Sequence, residues 1–500
     1  MRIPSTRLLH LTAAVTVIGA LFAYLQGSTR AICCADFDGY YHIRWSQLLW
    51  QGMRAGTFLP RFEWLPLTIL NPQEYVDHHF LFHILQIPFT WSGDLRFGAK
   101  YAATVFATAA LLACYGLIVR YRIAYPPVWL LALLASSSAF LYRMNMAKAP
   151  SVSLVLIVAG IYLLFEKRYL WLAPLAFIYV WTYSLFVMLG IAAVIWMCVI
   201  GWSERRLEWR PVVWAGLGTV VGFVINPYFP QNLSFFAHNL RIALAGDEFQ
   251  AGGGLEWSPF GTWTFLHLNA VASVAMVVGY IAFNPFDRKS SARALFFLIL
   301  STSLLVMTLN SLRWVEYWPP FATLFAAFSL QPIFNRLRGE SPNEVSRVRV
   351  AGLACVTAAL AIALYSTVIG TARDIANDRS PEQYEVGMTW ISANIPPGEM
   401  IFNADWVDFP KLFYYDTHHR YVAGLGQTYL YYKDAELFSL YQQIRLGQKT
   451  NPAQLIRERF KSRYVFIDPR GAQGFLFQQL SHDATVQLVF VDNYCALLRL

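Results

Sequence analysis

The chain has 500 residues, of which 56% are hydrophobic and only 14% charged, with a formal net charge of +9. Soluble domains average about 25% charged residues, so an ordinary water-soluble enzyme is excluded, and the aromatic richness excludes a disordered chain. A surplus of +9 would point to nucleic acid if it were gathered on one exposed face. Its distribution therefore decides its meaning.

Apolar runs of about 17–25 residues read as membrane-crossing helices. Eleven occur, at roughly 9–26, 101–119, 126–142, 150–165, 169–183, 185–202, 211–227, 264–284, 294–310, 319–334 and 350–369. The first follows a short basic leader and reads as a retained anchor rather than a cleaved signal, because its apolar run is long and no small-residue cleavage site follows. With the N-terminus inside, the inside segments carry sixteen basic and six acidic residues. The outside segments before residue 370 carry ten of each, and the tail carries thirteen basic and fourteen acidic. The surplus thus sits on one side, as the positive-inside rule requires. It orients the chain in a plasma (bacterial inner) membrane and removes nucleic acid as a partner.

Two long outside loops are expected, at about 27–100 and 228–263. They belong to a membrane unit 1–369, which an outside tail 370–500 follows. Strand-like runs at 400–402, 464–467 and 486–491 alternate with helix-like stretches near 434–447 and 452–460, which predicts a small α/β domain. Cys114, Cys198 and Cys355 fall in apolar helices and read as packing residues. Cys33, Cys34 and Cys495 lie outside, where a disulfide is permitted. No zinc-finger spacing is present.

Ionisable residues gathered on one side of a membrane bundle mark a site. Asp36 and Asp38 follow the first crossing, with Gly39, Tyr40, Tyr41 and His42 after them. Here a carboxylate can act as a base or bind a metal, or the segment is an interfacial loop. In the run Asp77-His78-His79-Phe80-Leu81-Phe82-His83, a helix would place His79 and His83 on one face as two zinc ligands. The alternative is an amphipathic interfacial helix. Arg143 and Lys148 flank a short outside turn, where they hold a phosphate or snorkel as anchors. His238 and Arg241 open the second long loop. That loop ends in Gly252-Gly253-Gly254-Leu255-Glu256-Trp257, which reads as a segment that closes over substrate or as a plain linker. Arg313 either meets a phosphate or pairs with Glu316 one turn on.

Taken together, these residues resemble the GT-C membrane glycosyltransferases, and within them the catalytic subunit of oligosaccharyltransferases. Asp38-Gly39-Tyr40-Tyr41 looks like the first-loop acidic motif of that family, and Glu256 lies where its mobile loop glutamate stands. Arg313-Trp314 followed by Pro319 is similar to the arginine on its acceptor side. Asp405-Trp406-Val407-Asp408-Phe409, with Leu412-Phe413-Tyr414-Tyr415 after it, looks like the family's Trp-Trp-Asp-Tyr-Gly segment.

The resemblance implies a polytopic α-helical membrane protein with a C-terminal extracytoplasmic α/β domain. It implies transfer of a sugar from a polyprenyl phosphate or pyrophosphate carrier, with inversion, to a lipid, glycan or protein acceptor. Asp38 and Glu256 would be catalytic. Arg143, Lys148, Arg313 and His238 would bind the donor phosphate, and Tyr41, Trp406 and Asp408 would face the acceptor. A divalent cation, Mg or Mn, would sit on Asp38, Asp77 and His79. Two departures stand out. Arg143 and Lys148 replace the family's second acidic motif, and Ala404-Asp405-Trp406 replaces its tryptophan pair, so sequon recognition does not carry over. The competing reading is a lipid-carrier transporter or flippase. Such proteins place ionisable groups near the bilayer midplane and show internal repeats, whereas here the charges gather in outside loops.

Overall fold

The computed structural model describes residues 5–34, 37–244, 255–288, 290–338, 345–377, 380, 382–471 and 473–500. Asp36 and Gly252–Gly254 lie outside the described residues.

Every apolar run read from the sequence is helical. Five helical stretches are long and apolar enough to cross a bilayer: Leu8–Gly27, Leu95–Arg120, Ser184–Glu204, Ala292–Asn310 and Arg349–Ala376. Together they make this a multi-pass membrane protein. Three further apolar helices, Pro150–Phe165, Tyr169–Thr182 and Arg210–Val224, are shorter. At 1.5 Å per residue they fall short of a hydrocarbon core about 30 Å thick.

Two runs expected as single straight crossings are bent instead. Pro126–Ala135 meets Ser138–Met144 at 83°, and Thr262–Leu268 meets Ala270–Ala282 at 85°. The first bend falls at Ser137, which adopts an extended backbone and accepts a hydrogen bond from Phe140 N through its side chain. A serine at this position ends one helix and caps the next. The bend leaves Arg143 in the last turn of the short second half.

Helix packing relies on small residues at the contacts. Gly218 and Gly222, four apart on Arg210–Val224, face the helix Leu172–Thr182. A Cβ on Gly218 would lie 2.1 Å from the Ala173 carbonyl oxygen, and one on Gly222 would lie 3.1 Å from Val180. Small residues at this spacing let two backbones approach in lipid, where close packing replaces the hydrophobic effect as the driving force.

The first long loop is folded rather than open. It carries the helices Asp38–Arg54 and Phe80–Gln86 around an aromatic centre in which Phe62 stacks on Tyr75 at 4.4 Å. The tail forms the expected α/β unit, a five-stranded sheet in the order β2-β1-β3-β5-β4. Here β1 is Met400–Asn403, β2 Arg420–Tyr421, β3 Tyr464–Ile467, β4 Gln487–Val491 and β5 Ala496–Arg499. β1 runs parallel to β2 and β3, and β5 runs antiparallel to β3 and β4.

Loop and tail share one core. Trp64 packs edge-on against Phe413 at 4.9 Å, and Tyr40 against Tyr414 at 5.1 Å. Backbone hydrogen bonds from Tyr421 N to Trp64 O (2.8 Å) and from Ile69 N to Tyr429 O (3.1 Å) join the two. Cys33 and Cys34 form a disulfide, while Cys495 is free and buried.

Replacing Gly218 by Val should destabilise the protein by about 1–3 kcal/mol through overpacking. Thermal unfolding in detergent reads this as a lowered midpoint, and an unchanged midpoint would contradict the close approach of these helices.

Candidate active site

Asp38 opens the helix Asp38–Arg54, where the helix dipole favours a carboxylate. The next residue explains how close this helix start can come to its neighbour. A Cβ on Gly39 would fall 2.8 Å from Ile32 and 3.2 Å from Ala147, so only glycine admits the approach. The contact brings the turn 145–149 against Asp38, and Lys148 Nζ lies 2.8 Å from Asp38 Oδ2.

A second knot lies on the same face. Arg143 donates through Nε to Glu316 Oε1 at 2.6 Å and through Nη2 to Glu256 Oε2 at 3.0 Å. Arg313 donates through Nη1 to Glu256 Oε1 at 3.0 Å and through Nη2 to the Tyr183 hydroxyl at 2.9 Å, with its guanidinium over the Trp257 ring. Glu256 is therefore bridged by two guanidiniums. Its segment is seated by Ser311 Oγ, which donates to Glu256 O, and by Leu312 N, which donates to Ser258 O. The alternative pairing of Arg313 with Glu316 does not form. Arg313 takes Glu256 instead, and Glu316, which is 1% exposed, takes Arg143.

Burial alone would raise the Glu256 carboxyl. The adjoining Arg313 and Arg143 guanidiniums, with Lys148 beyond them, outweigh burial and hold it well below the usual carboxylate range. A carboxylate so stabilised is a weak base. Glu256 is better suited to holding cations in place than to accepting a proton.

Beneath this face lies a polar group whose full extent was not apparent from the sequence. Asp77 Oδ2 accepts from Trp45 Nε1 at 2.9 Å and lies 2.7 Å from His83 Nδ1, while its Oδ1 accepts from the His79 backbone N–H. The other nitrogen of His83, Nε2, lies 2.7 Å from His42 Nδ1. His79 stacks on Tyr183 and meets His42 edge to face. The chain thus links these histidines to the arginine knot through Tyr183.

The expected metal set does not assemble. Both oxygens of Asp77 are engaged, both nitrogens of His83 are engaged, and Asp38 is paired with Lys148. Among the described residues, no three or more His, Cys, Asp or Glu side chains are grouped to hold a metal ion. Asp38, Asp77 and His79 therefore do not fit a resident divalent cation, and His79 and His83 do not fit a zinc pair.

Three residues expected on the acceptor side take these places. Tyr41 is buried in the first-loop core, with its hydroxyl 2.9 Å from that of Tyr75. Asp408 is buried in the tail, where it accepts from the Tyr384 hydroxyl, and Trp406 packs against the tail's own core. His238 stacks on Tyr432 at 4.5 Å, and no hydrogen bond or ion pair among the described residues joins it to the arginine knot. The residues brought together are Asp38, Lys148, Arg143, Glu256 and Arg313. Glu316, Tyr183, His42 and His83 join them. The sequence clue to the last two was the density of histidines around Asp77 and after Asp38.

No protein-family model matches the chain, and no curated protein matches it in sequence. Solved structures do match. The archaeal oligosaccharyltransferase AglB from Archaeoglobus fulgidus, in complex with an inhibitory peptide and a dolichol-phosphate, superposes with a TM-score of 0.68. The match covers 96% of this chain and 73% of that one at 13% identity. The same oligosaccharyltransferase in the apo form gives a TM-score of 0.67 at 12% identity, over 93% and 71% of the two chains. ArnT from Cupriavidus metallidurans bound to undecaprenyl phosphate gives 0.55 at 12% identity, over 99% and 98%. The architecture is that of a polytopic membrane protein with its charged groups gathered on one face beneath a folded loop and tail. That architecture is shared, as a fold, with these oligosaccharyltransferase and ArnT structures.

Burial pushes His78 down to about 4 against the opposing pull of Asp77, and pushes His42 and His79 well below their ordinary value. Unfolded histidines take up protons near pH 6.5. Between pH 6.5 and about 4 the unfolded chain therefore binds more protons than the folded one, and stability falls as pH falls. The unfolding midpoint should drop from pH 7.5 to pH 4.5, and less steeply in His78→Asn. Equal slopes would contradict the burial of His78 as a neutral ring.

Proposed function

We propose that the chain is an integral-membrane glycosyltransferase. It moves a sugar from a polyprenyl phosphate or pyrophosphate carrier to an extracytoplasmic acceptor by single displacement with inversion. The observation that carries this reading is the convergence of Arg143, Arg313 and Lys148 on Glu256, Glu316 and Asp38. Three cations held by three carboxylates at the end of a membrane bundle form a site whose cations can be handed to an incoming phosphate. Guanidiniums bind phosphate oxygens in a bidentate fork. The two structural neighbours described in complex with dolichol-phosphate and undecaprenyl phosphate support this reading of the site.

In the reaction, the carrier phosphate lies against Arg143, Arg313 and Lys148. An acceptor oxygen forms a bond to the anomeric carbon from the face opposite the phosphate. The bond from that carbon to the phosphate oxygen breaks, and its electron pair stays on the phosphate. Preorganised cations stabilise the charge that develops there. Asp38 takes the acceptor's proton. Glu256 holds the guanidiniums in place until the donor arrives. The charged groups sit in loops and at helix ends, which favours chemistry at the membrane surface over transport through the midplane. In the bilayer the N-terminus is cytoplasmic and the tail extracytoplasmic, in the inner (plasma) membrane.

Asp38→Asn should lower the turnover of a polyprenyl-phosphate sugar by about 10²–10⁴-fold, the usual contribution of a general base, with unchanged membrane insertion. Full activity in the purified variant would remove Asp38 from the reaction. Lys148→Ala should raise the donor KM without a matching change in the acceptor KM, and equal changes would make Lys148 an anchor only. Alkaline phosphatase fused after Leu500 should be active, and an inactive fusion would reverse the orientation.

A further inference from the structure

A second charged site lies at the opposite end of the helix Leu172–Thr182 from Tyr183, which meets the arginine knot. There a groove of about 400 Å³ is lined by Lys167, Arg168 and Arg210, together with Leu170, Trp171 and Trp214. None of these residues takes part in the scheme above.

The protein neutralises these cations only in part. Lys167 Nζ lies 2.7 Å from Glu204 Oε1, with both side chains exposed, and a pair of that kind contributes little. Arg210 donates through Nε and Nη2 to the two carboxylate oxygens of Glu208, with its guanidinium over the Tyr169 ring. Arg168 is exposed. The nearby carboxylates Glu166, Glu204 and Glu208 are taken by Arg120, Lys167 and Arg210, and among the described residues none pairs with Arg168. The backbone adds to the surplus. The helices Leu172–Thr182 and Arg210–Val224 both begin at the groove, and neither has an acidic residue in its first turn. The start of a helix is unfavourable for a cation and favourable for an anion.

The surroundings are those of a lipid rather than of a soluble anion. Leu170 is 58% exposed and Trp171 61%, and Leu207 and Trp209, close to Arg210 in the chain, are exposed as well. Exposed tryptophans beside cations belong to the interfacial belt of a bilayer. Neither helix exceeds 15 residues, so each rises at most about 22 Å. That leaves about 8 Å of a hydrocarbon core about 30 Å thick uncovered. The Tyr183 end is tied to Arg313, so the shortfall falls at the groove. A headgroup drawn inward to the cations closes it.

We propose that this groove seats the phosphodiester of an anionic glycerophospholipid, such as phosphatidylglycerol. Arg168 and Arg210 meet its oxygens with Lys167 beside them, and an acyl chain lies along Leu170 and Trp171. On the orientation proposed above, the lipid belongs to the cytoplasmic leaflet, across the membrane from the carrier phosphate. The site needs only a bilayer and these side chains, so it stands whether or not the chain transfers a sugar.

Native mass spectrometry of the full chain in detergent, with equimolar phosphatidylglycerol and phosphatidylcholine, tests the site. The wild type should retain one phosphatidylglycerol in preference to phosphatidylcholine, and phosphatidylglycerol alone should raise its unfolding midpoint. Arg168→Ala should weaken phosphatidylglycerol binding about fivefold, and Lys167→Asn with Arg168→Ala about thirtyfold, at the usual contribution of a basic residue at an anionic lipid surface. Neither change strands a buried charge, and asparagine tolerates the left-handed backbone of Lys167, whose φ is 56°. Arg336→Ala removes an exposed cation that the charge count assigns to the same side but that lies outside the groove, and it should bind as the wild type does. Equal retention of the two lipids, unchanged binding in Arg168→Ala and the double variant, or an equal loss in Arg336→Ala overturns the site. Glycerol 3-phosphate or inorganic phosphate that reproduces the whole midpoint shift overturns a lipid as the occupant.

Discussion

The site depends on one part-buried ionic bridge, the Glu256 carboxylate held between Arg143 and Arg313. It ties together three segments that are far apart in the chain: the end of the second long loop, the short helix after the bend at Ser137, and the turn before Trp318. Removing one partner of such a bridge leaves the other charges with one fewer counter-charge. The arrangement is therefore a constraint on folding as well as a source of cations. Glu316 shares the constraint by taking the other edge of Arg143. A phosphate entering the bridge would replace one anion by another and leave the guanidiniums paired.

The second constraint is the shared aromatic core of the first loop and the tail. It holds the start of the helix Asp38–Arg54 against the turn that carries Lys148, and Gly39 permits the contact. The same core encloses Tyr41, Tyr75, Trp45 and the histidines behind Asp38. The tail thus takes part in the site through packing against the loop. The fold matches the solved oligosaccharyltransferase and ArnT structures over nearly the whole chain at only 12–13% identity.

Much of this was legible in the residues. Apolar runs showed the helices, because hydrocarbon demands long apolar segments. Short strand-like apolar runs showed β1, β3 and β4 of the tail. Asp38, Arg143, Lys148, Glu256 and Arg313 stood out because a charge at a membrane surface is costly unless it is used or paired. Other features could not be read. The bend at Ser137 has no proline or glycine to announce it, and comes from a serine cap. The partners of Arg143 lie 113 and 173 residues away, beyond any local pattern. The i,i+3 rule suggested Glu316 for Arg313, but tertiary packing gave each a different partner. The spacing of His79 and His83 suggested zinc, whereas His83 instead lies between Asp77 and His42, 41 residues from the latter.

The central claim is that Arg143, Arg313 and Lys148 form the seat of a lipid phosphate, currently neutralised by the protein's own carboxylates. A cryo-electron-microscopy structure of the protein in nanodiscs containing undecaprenyl phosphate tests it most directly. The account predicts phosphate density within hydrogen-bond distance of both guanidiniums and the Lys148 ammonium, with Glu256 displaced from at least one arginine. Phosphate bound elsewhere, with Glu256 still bridging Arg143 and Arg313, would contradict it.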